Sequence, residues 1–320
     1  MVSEALPGYA KGVKVEKISS AIHEFIKANV PGEDILLDEP MCKHTTFRVG
    51  GRAQCLVRIS SIRQLEKLIP YLKTVGVPYF VLGNGSNLLV GDKGYKGIVL
   101  QIGSKMGTAM VEGACIRAGA GLAMIQAARC AQENGLSGLE FASGIPGTLG
   151  GGIVMNAGAY GGEMKQVVKE VTVLSDQGEI LTLDNASMEF GYRTSVIKNR
   201  PFVVIGALLG LVPGKKEEIF ERMEALAKKR REKQPIEYAS AGSTFKRPEG
   251  YFAGKLIMDT GLKGYRVGGA MVSEKHCGFV INTGTATAAD IAQVIWEVQE
   301  RVKDKFGVTL EKEVIFLGDF

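Results

Sequence analysis

Arg193 in "GYRTS", Ser243 in "AGSTFKRPEG" and Glu313 in "LEKEV" put a cation, a hydroxyl and a carboxylate on three separate motifs of the second half of the chain. Read singly, Arg193 also suits a carbonyl cap, Ser243 a closed turn and Glu313 a surface ion pair of little energetic value. No nucleophile elbow surrounds Ser243, and with only His23, His44 and His276 in the chain no Ser-His-Asp order is available. Acyl transfer is therefore not expected. His276, in "SEKHCGF", reads as a structural or solvent-facing residue rather than a base.

Two glycine-rich stretches offer a different chemistry. "LGNGSNLLV" supplies Gly83, Asn84, Gly85, Ser86 and Asn87, a run able to aim successive backbone N–H groups at one anion or simply to turn the chain at a strand end. It matches neither GxGxxG nor GxxxxGK[ST], so neither a dinucleotide fingerprint nor a P-loop is supported. About sixty residues later, "ASGIPGTLGGG" adds Ser143 and Thr148, and within residues 144–162 eight of nineteen positions are glycine. Such density lets backbone approach a ligand at an entropic cost that a plain core would avoid. Two such loops suit a long diphosphate ligand better than a single phosphate.

The elements that would carry these loops are legible from periodicity. "CLVRI" leads into a helix with Ile62, Leu65, Leu68, Ile69 and Leu72 on one stripe, opened by a capping box from Ser61 to Gln64. "YFVL" then begins a strand that ends at the first glycine loop, where α/β folds place ligands. A helical stretch around Leu122, Ile125 and Ala128 precedes the second loop. "VTVLSDQGEILTL" reads as a hairpin, "FVVIGALLGLV" as a buried strand, and residues 215–235 as a helix stopped by Pro235. A long helix over 289–306 and a final strand "EVIFLG" close the pattern. Ile18, Ile22 and Ile26 mark an N-terminal helical extension over residues 1–30, before the turn-rich "VPGED".

Bulk properties set the remaining bounds. The 320 residues, 45% of them hydrophobic, suffice for a large core and two or three domains. A net charge of +5, spread along the chain, suits an anionic small molecule at least as readily as nucleic acid. Five cysteines without CxxC or paired-histidine spacing argue against a disulfide framework and against a zinc site, so no metal is expected and a reducing cytoplasm fits. No apolar run reaches the roughly 18 residues of a membrane helix, and the first residues lack the apolar core of a signal peptide.

Taken in order, "TTFRVGG" (45–51), "LGNGSNLLV" (82–90), "GLEFASGIPGTLGGGIVMNAGAYGGE" (138–163), "GYRTS" (191–195), "AGSTFKRPEGYFAGKLI" (241–257), "GGAMVSEKHCGFVIN" (268–282) and "LEKEV" (310–314) closely resemble the bacterial UDP-N-acetylenolpyruvoylglucosamine reductase family, across residues 35–318. The resemblance implies an α+β fold: a vanillyl-alcohol-oxidase-like FAD-binding region of two subdomains (31–102 and 103–214), then a C-terminal α+β substrate-binding domain (215–320). That domain begins with a linker helix, and its last strand is expected to return to the FAD region. The implied reaction passes hydride from NADPH, through bound FAD, to the enolpyruvyl ether of a UDP-sugar, giving UDP-N-acetylmuramate for peptidoglycan. FAD is thus the cofactor and NADPH the co-substrate. The partners are small molecules, with no nucleic acid or membrane, and the chain is expected to be a monomer.

Residue roles follow from the same resemblance. Arg193 is similar to the family arginine that stabilises the enolate, Glu313 to the glutamate that polarises or protonates it, and Ser243 to the proton donor to the α-carbon. Tyr192, Lys233, Lys246 and Arg247 are expected to contact substrate. The FAD contacts are expected from Arg48, Gly50, Gly83, Asn84, Gly85, Ser86, Asn87, Ser143, Gly144, Pro146, Gly147, Thr148, Gly151, Asn156 and Gly158. Some members carry a tyrosine-bearing loop between the arginine and serine motifs; the 49 residues between Arg193 and Ser243 are too few for it, which marks the shorter subtype. Two rival readings remain: an FAD-dependent small-alcohol oxidase or dehydrogenase, and a nucleotide-binding module without turnover.

Overall fold

Ser19 opens the first helix of the computed structural model, which describes residues 18–320; the expected N-terminal extension lies outside the described residues as far as Lys17. Its hydroxyl accepts from the Ile22 amide at 3.4 Å, and the helix, α1 (Ser20–Asn29), buries Ile22 and Ile26. Phe25 on α1 stacks on Tyr71, ring centroids 3.7 Å apart. The described residues form two units. One gathers those up to Leu37 with Gln54–Asn84 and Lys96–Lys229; the other gathers Asp38–Ala53, Gly85–Tyr95 and Arg230–Phe320.

Strands β1 (Ile35–Pro40), β2 (Arg52–Ile59), β3 (Tyr79–Leu82) and, beyond the short β4 (Leu88–Val90), β5 (Tyr95–Ile102) build a sheet in the order β1-β2-β5-β3. Helix α2 (Ile62–Thr74) buries Leu65, Leu68, Ile69 and Leu72 completely, as its stripe predicts, while Ile62 is exposed. The expected capping box closes one residue earlier. Gln64 Oε1 accepts from the Ser60 amide at 2.8 Å and the Ser60 hydroxyl at 3.1 Å, because the long amide folds back past Ser61. β3 and β5 are parallel, Tyr79 facing Ile98, so the first glycine loop leaves the C-terminal end of a parallel strand.

A second sheet follows in the first unit. Strands β6 (Ala109–Glu112) and β7 (Cys115–Gly119) precede α3 (Met124–Glu133), β8 (Leu136–Ser137) and the glycine-rich α4 (Leu149–Val154). Leu122 lies before α3 rather than in it, and Ile125 faces solvent; Met124, Ala127, Ala128 and Ala131 form the buried face. The chain continues through β9 (Gly158–Ala159), β10 (Gly162–Glu163), β11 (Val168–Ser175), β12 (Ile180–Asp184), β13 (Phe202–Gly210), β14 (Val212–Pro213) and α5 (Lys216–Lys233). The sheet order is β12-β11-β13-β7-β6, antiparallel throughout. β11 and β12 are the hairpin read from "VTVLSDQGEILTL".

In the second unit, α6 (Ala253–Asp259) leads to an antiparallel sheet of β15 (Arg266–Val267), β16 (Ala270–Val272) and β17 (Val280–Asn282), over which α7 (Ala288–Phe306) lays Ile291, Val294, Ile295, Val298 and Val302. Thr287 and Asp290 cap α7 reciprocally at 3.0 Å. Asp92 adds both carboxylate oxygens to the Ala288 and Ala289 amides at 2.9 and 2.8 Å, and Gly307 ends the helix at φ 68°. The final strand β18 (Ile315–Leu317) runs parallel to β4, with Ile315 opposite Leu88 and Leu317 opposite Val90. No described helix is long and apolar enough to cross a membrane.

Candidate active site

Both glycine loops meet within the first unit. A Cβ on Gly83 would lie 2.4 Å from the Thr148 hydroxyl oxygen, so the end of β3 rests directly on the N-cap of α4. Thr148 is buried and its hydroxyl accepts from the Gly151 amide at 3.5 Å. Gly147, just before it, has φ 127°, and Gly158 opens β9. Ser143 donates to the Glu140 carbonyl at 2.8 Å, while Pro146 and Gly151 are exposed and Gly144 is half-buried.

The loop continues in the second unit. Gly85 has φ 61°, and a Cβ there would fall 2.0 Å from the His44 carbonyl oxygen; only glycine fits. Its own carbonyl accepts from the Thr46 amide at 3.1 Å, which sews the loop to "TTFRVGG". In that motif Arg48 is exposed at φ 57°, and Gly50, at φ 122°, backs onto Val90. Asn87 donates to the Glu313 carbonyl at 3.1 Å.

These surroundings suit a flavin dinucleotide. In the first unit, the donor set at 83–84 and 143–151 is backbone and uncharged, with no acidic side chain to repel a diphosphate, and the glycines keep side chains out of the way. Ser143, Thr148, Asn87 and Asn156 engage their side chains inside the protein, so the fit falls to main-chain N–H groups. Among the described residues no three carboxylate, histidine or cysteine groups cluster to hold a metal.

Arg193 occupies a tight turn of the first unit. Gly191 and Thr194 exchange backbone hydrogen bonds at 3.1 and 3.3 Å, which puts Arg193 at φ 56°. Its Nη2 donates to the Gly158 carbonyl at 3.1 Å, and Tyr192, exposed, lies with its ring centroid 5.3 Å from the guanidinium carbon. Asn156 donates to the Gly191 carbonyl at 3.0 Å and to Glu163 at 3.1 Å.

Ser243 and Glu313 stand on two stretches of the second unit that run side by side. Phe245 pairs antiparallel with Lys312, the Glu313 amide donates to the Thr244 carbonyl at 2.9 Å, and the Lys246 amide donates to the Glu311 carbonyl at 2.9 Å. Thr244 is fully buried: its amide donates to Gly278 at 2.8 Å and its hydroxyl accepts from Val280 at 2.9 Å. Lys246 pairs with the Glu311 carboxylate at 2.9 Å, and Arg247 lies over the Phe252 ring at 4.0 Å. Lys233 is exposed at the end of α5. His276 accepts from the Gly278 amide on Nδ1 at 3.1 Å and packs edge-on against Phe279; burial holds its pKa below the usual histidine value, the pattern of a structural imidazole.

Sequence reading passed over Thr244 and Glu163, both of which hold the residues it did name. Nothing in their spacing marks them: Thr244 acts through a bond to Val280, 36 positions on, and Glu163 through a bond to Asn156, 7 positions back.

Comparison with known proteins agrees with this geometry. Residues 53–184 match the family model described as an FAD binding domain, and residues 234–317 match that of the UDP-N-acetylenolpyruvoylglucosamine reductase C-terminal domain. A UDP-N-acetylenolpyruvoylglucosamine reductase of Caldanaerobacter subterraneus subsp. tengcongensis is 52% identical, with 89% of this chain and 94% of the relative covered. One from Agathobacter rectalis is 50% identical over 92% and 99%. The crystal structure of the UDP-N-acetylenolpyruvylglucosamine reductase of Thermus caldophilus superimposes with a TM-score of 0.76 at 36% identity, covering 89% of this chain and 98% of that one. The α+β flavin-binding fold expected from the sequence is therefore the fold of the chain.

Proposed function

The chain belongs to the UDP-N-acetylenolpyruvoylglucosamine reductase family of FAD-dependent oxidoreductases, and from that premise we propose that it reduces the enolpyruvyl ether of UDP-N-acetylglucosamine to the lactyl ether of UDP-N-acetylmuramate at the expense of NADPH. FAD, when bound, supplies the two-electron chemistry. The loops at Gly83–Asn87 and Ser143–Gly158, with Arg48 and Gly50, would hold it.

Everything else falls to the chain's own side chains. Hydride addition at the enolpyruvyl β-carbon places negative charge on the α-carbon and its carboxylate, which calls for a fixed cation and a positioned proton. Arg193 supplies the cation. Ser243 gives its proton to the α-carbon, and Glu313 polarises the developing enolate. A serine hydroxyl is a weak acid, but its partner is a strongly basic carbanion, so the step depends on geometry. Tyr192, Lys233, Lys246 and Arg247 are assigned to the substrate's anionic and sugar groups.

The observation that carries the reading is the antiparallel pairing of the two stretches, in which the Glu313 amide bonds to the carbonyl of Thr244, next to Ser243. It brings the hydroxyl motif and the carboxylate motif onto neighbouring extended stretches, although residues 243 and 313 are 70 positions apart in sequence. The test is one absorption experiment. The purified protein is expected to show flavin bands that NADPH bleaches and the enolpyruvyl UDP-sugar restores. A colourless protein that takes up no FAD would sink the reading, as would bleaching by a small alcohol with none by NADPH.

A further inference from the structure

Asn156 is a side chain whose every polar atom is accounted for. It is 1% exposed and sits at φ 42°. Nδ2 donates to Glu163 Oε2 at 3.1 Å and to the Gly191 carbonyl at 3.0 Å, and Oδ1 accepts from the Lys165 amide at 2.9 Å. A non-glycine residue in the left-handed region persists only where its surroundings over-determine it, and asparagine tolerates that region best among residues offering both donors and an acceptor.

The contacts form a closed ring. Gly191 is the first residue of the turn that sets Arg193 at φ 56°. Arg193 Nη2 bonds back to the carbonyl of Gly158, two residues past Asn156. Ser195, at the exit of the turn, donates to the Val154 carbonyl at 2.8 Å, two residues before Asn156. The segment 154–158 therefore grips the turn 191–195 at three points, and the central one is the Asn156 amide.

We propose that Asn156 is a positioning residue for Arg193: its side chain fixes the turn that presents the guanidinium. This rests on the reading of Arg193 as the enolate-stabilising cation. The substitutions separate the parts of the amide. Asn156→Asp keeps the size and the acceptor for Lys165 but loses both donors and sets a carboxylate against Glu163. Asn156→Gly keeps the backbone conformation and loses all three bonds.

The test is a double-mutant cycle with Arg193→Ala on FAD-loaded protein, reading flavin reoxidation by the enolpyruvyl UDP-sugar and the flavin-to-protein absorbance ratio. Asn156→Asp alone is expected to slow reoxidation by on the order of 10²-fold, the cost of displacing a group by about 1 Å. In the Arg193→Ala background it is expected to add less than about twofold, because the group it positions is gone. Multiplicative losses would overturn the inference alone. Undiminished reoxidation in Arg193→Ala would overturn the Arg193 reading and the inference with it. If Asn156→Asp loads no FAD, Asn156→Gly carries the same cycle; failure of both to load would overturn the inference by showing that the Asn156 side chain serves the cofactor rather than Arg193.

Discussion

The Glu313 backbone amide donates to the Thr244 carbonyl at 2.9 Å, and Thr244 is fully buried beside Val280 of β17. Its amide and hydroxyl are both engaged, by Gly278 and Val280. Thr244→Val keeps the shape but leaves the Val280 amide without its acceptor. A buried donor so orphaned costs about 1–3 kcal/mol, so the urea midpoint is expected to fall by that equivalent while Thr244→Ser stays within about 1 kcal/mol of the parent. Equal stability of the Val variant would show that the hydroxyl contributes nothing.

Gly85 gives a sharper contrast. Its φ of 61° and the 2.0 Å approach of the His44 carbonyl leave no room for a methyl group, whereas Gly242, at φ 75°, has nothing within 4 Å of an added Cβ. Gly242→Ala is expected to cost about 1–2 kcal/mol, the penalty of left-handed backbone alone. Gly85→Ala must in addition move the "TTFRVGG" segment, and is expected to lose several-fold more stability together with most of its bound FAD. Matching melting temperatures and flavin content in the two variants would refute the close-approach argument.

These cases show how far the sequence could be read. Periodicity placed α2, α7 and the β11–β12 hairpin because their buried faces repeat locally: Leu65, Leu68, Ile69 and Leu72 need no distant partner to declare a helix. The α3 register was less visible, since its buried face is mostly alanine and Ile125 points outward. The motifs proposed to carry catalysis were legible only as a set, through resemblance. The residues that hold them were not: Thr244 acts through a bond to Val280 far away in sequence, Asn87, named only for the cofactor, acts on the Glu313 backbone, and Glu163 acts on Asn156 through a side-chain bond that no periodicity marks.

His276 gives the chain a pH dependence of predictable sign. Burial holds its pKa below the ordinary histidine value, only partly offset by a backbone hydrogen bond, so the native state keeps it neutral with Nδ1 accepting from Gly278. The unfolded chain protonates at about 6.5. The unfolded state therefore binds more protons in the interval below that value, and this stabilising contribution is complete above it and lost as pH falls through the native pKa. His276→Gln is expected to flatten the decline in stability between about pH 7 and pH 5, measured by denaturant midpoints at each pH. A steeper decline in the variant would mean that the imidazole is charged in the native state.

Ser243 supplies the most specific kinetic prediction. If its hydroxyl gives the proton to the α-carbon, Ser243→Ala removes a positioned acid and leaves in place the flavin cradle proposed for Gly83–Asn87 and Ser143–Gly158. Bleaching of the flavin by NADPH should then continue, because that half-reaction involves no enolpyruvyl carbon. Reoxidation by the enolpyruvyl UDP-sugar should fall by about 10²–10⁴-fold, the range for losing a general acid. Stopped-flow absorbance near the flavin bands separates the two steps in one enzyme sample. Survival of both half-reactions would move the proton to another donor, with Glu313, whose amide is held by Thr244, as the first to test by Glu313→Gln.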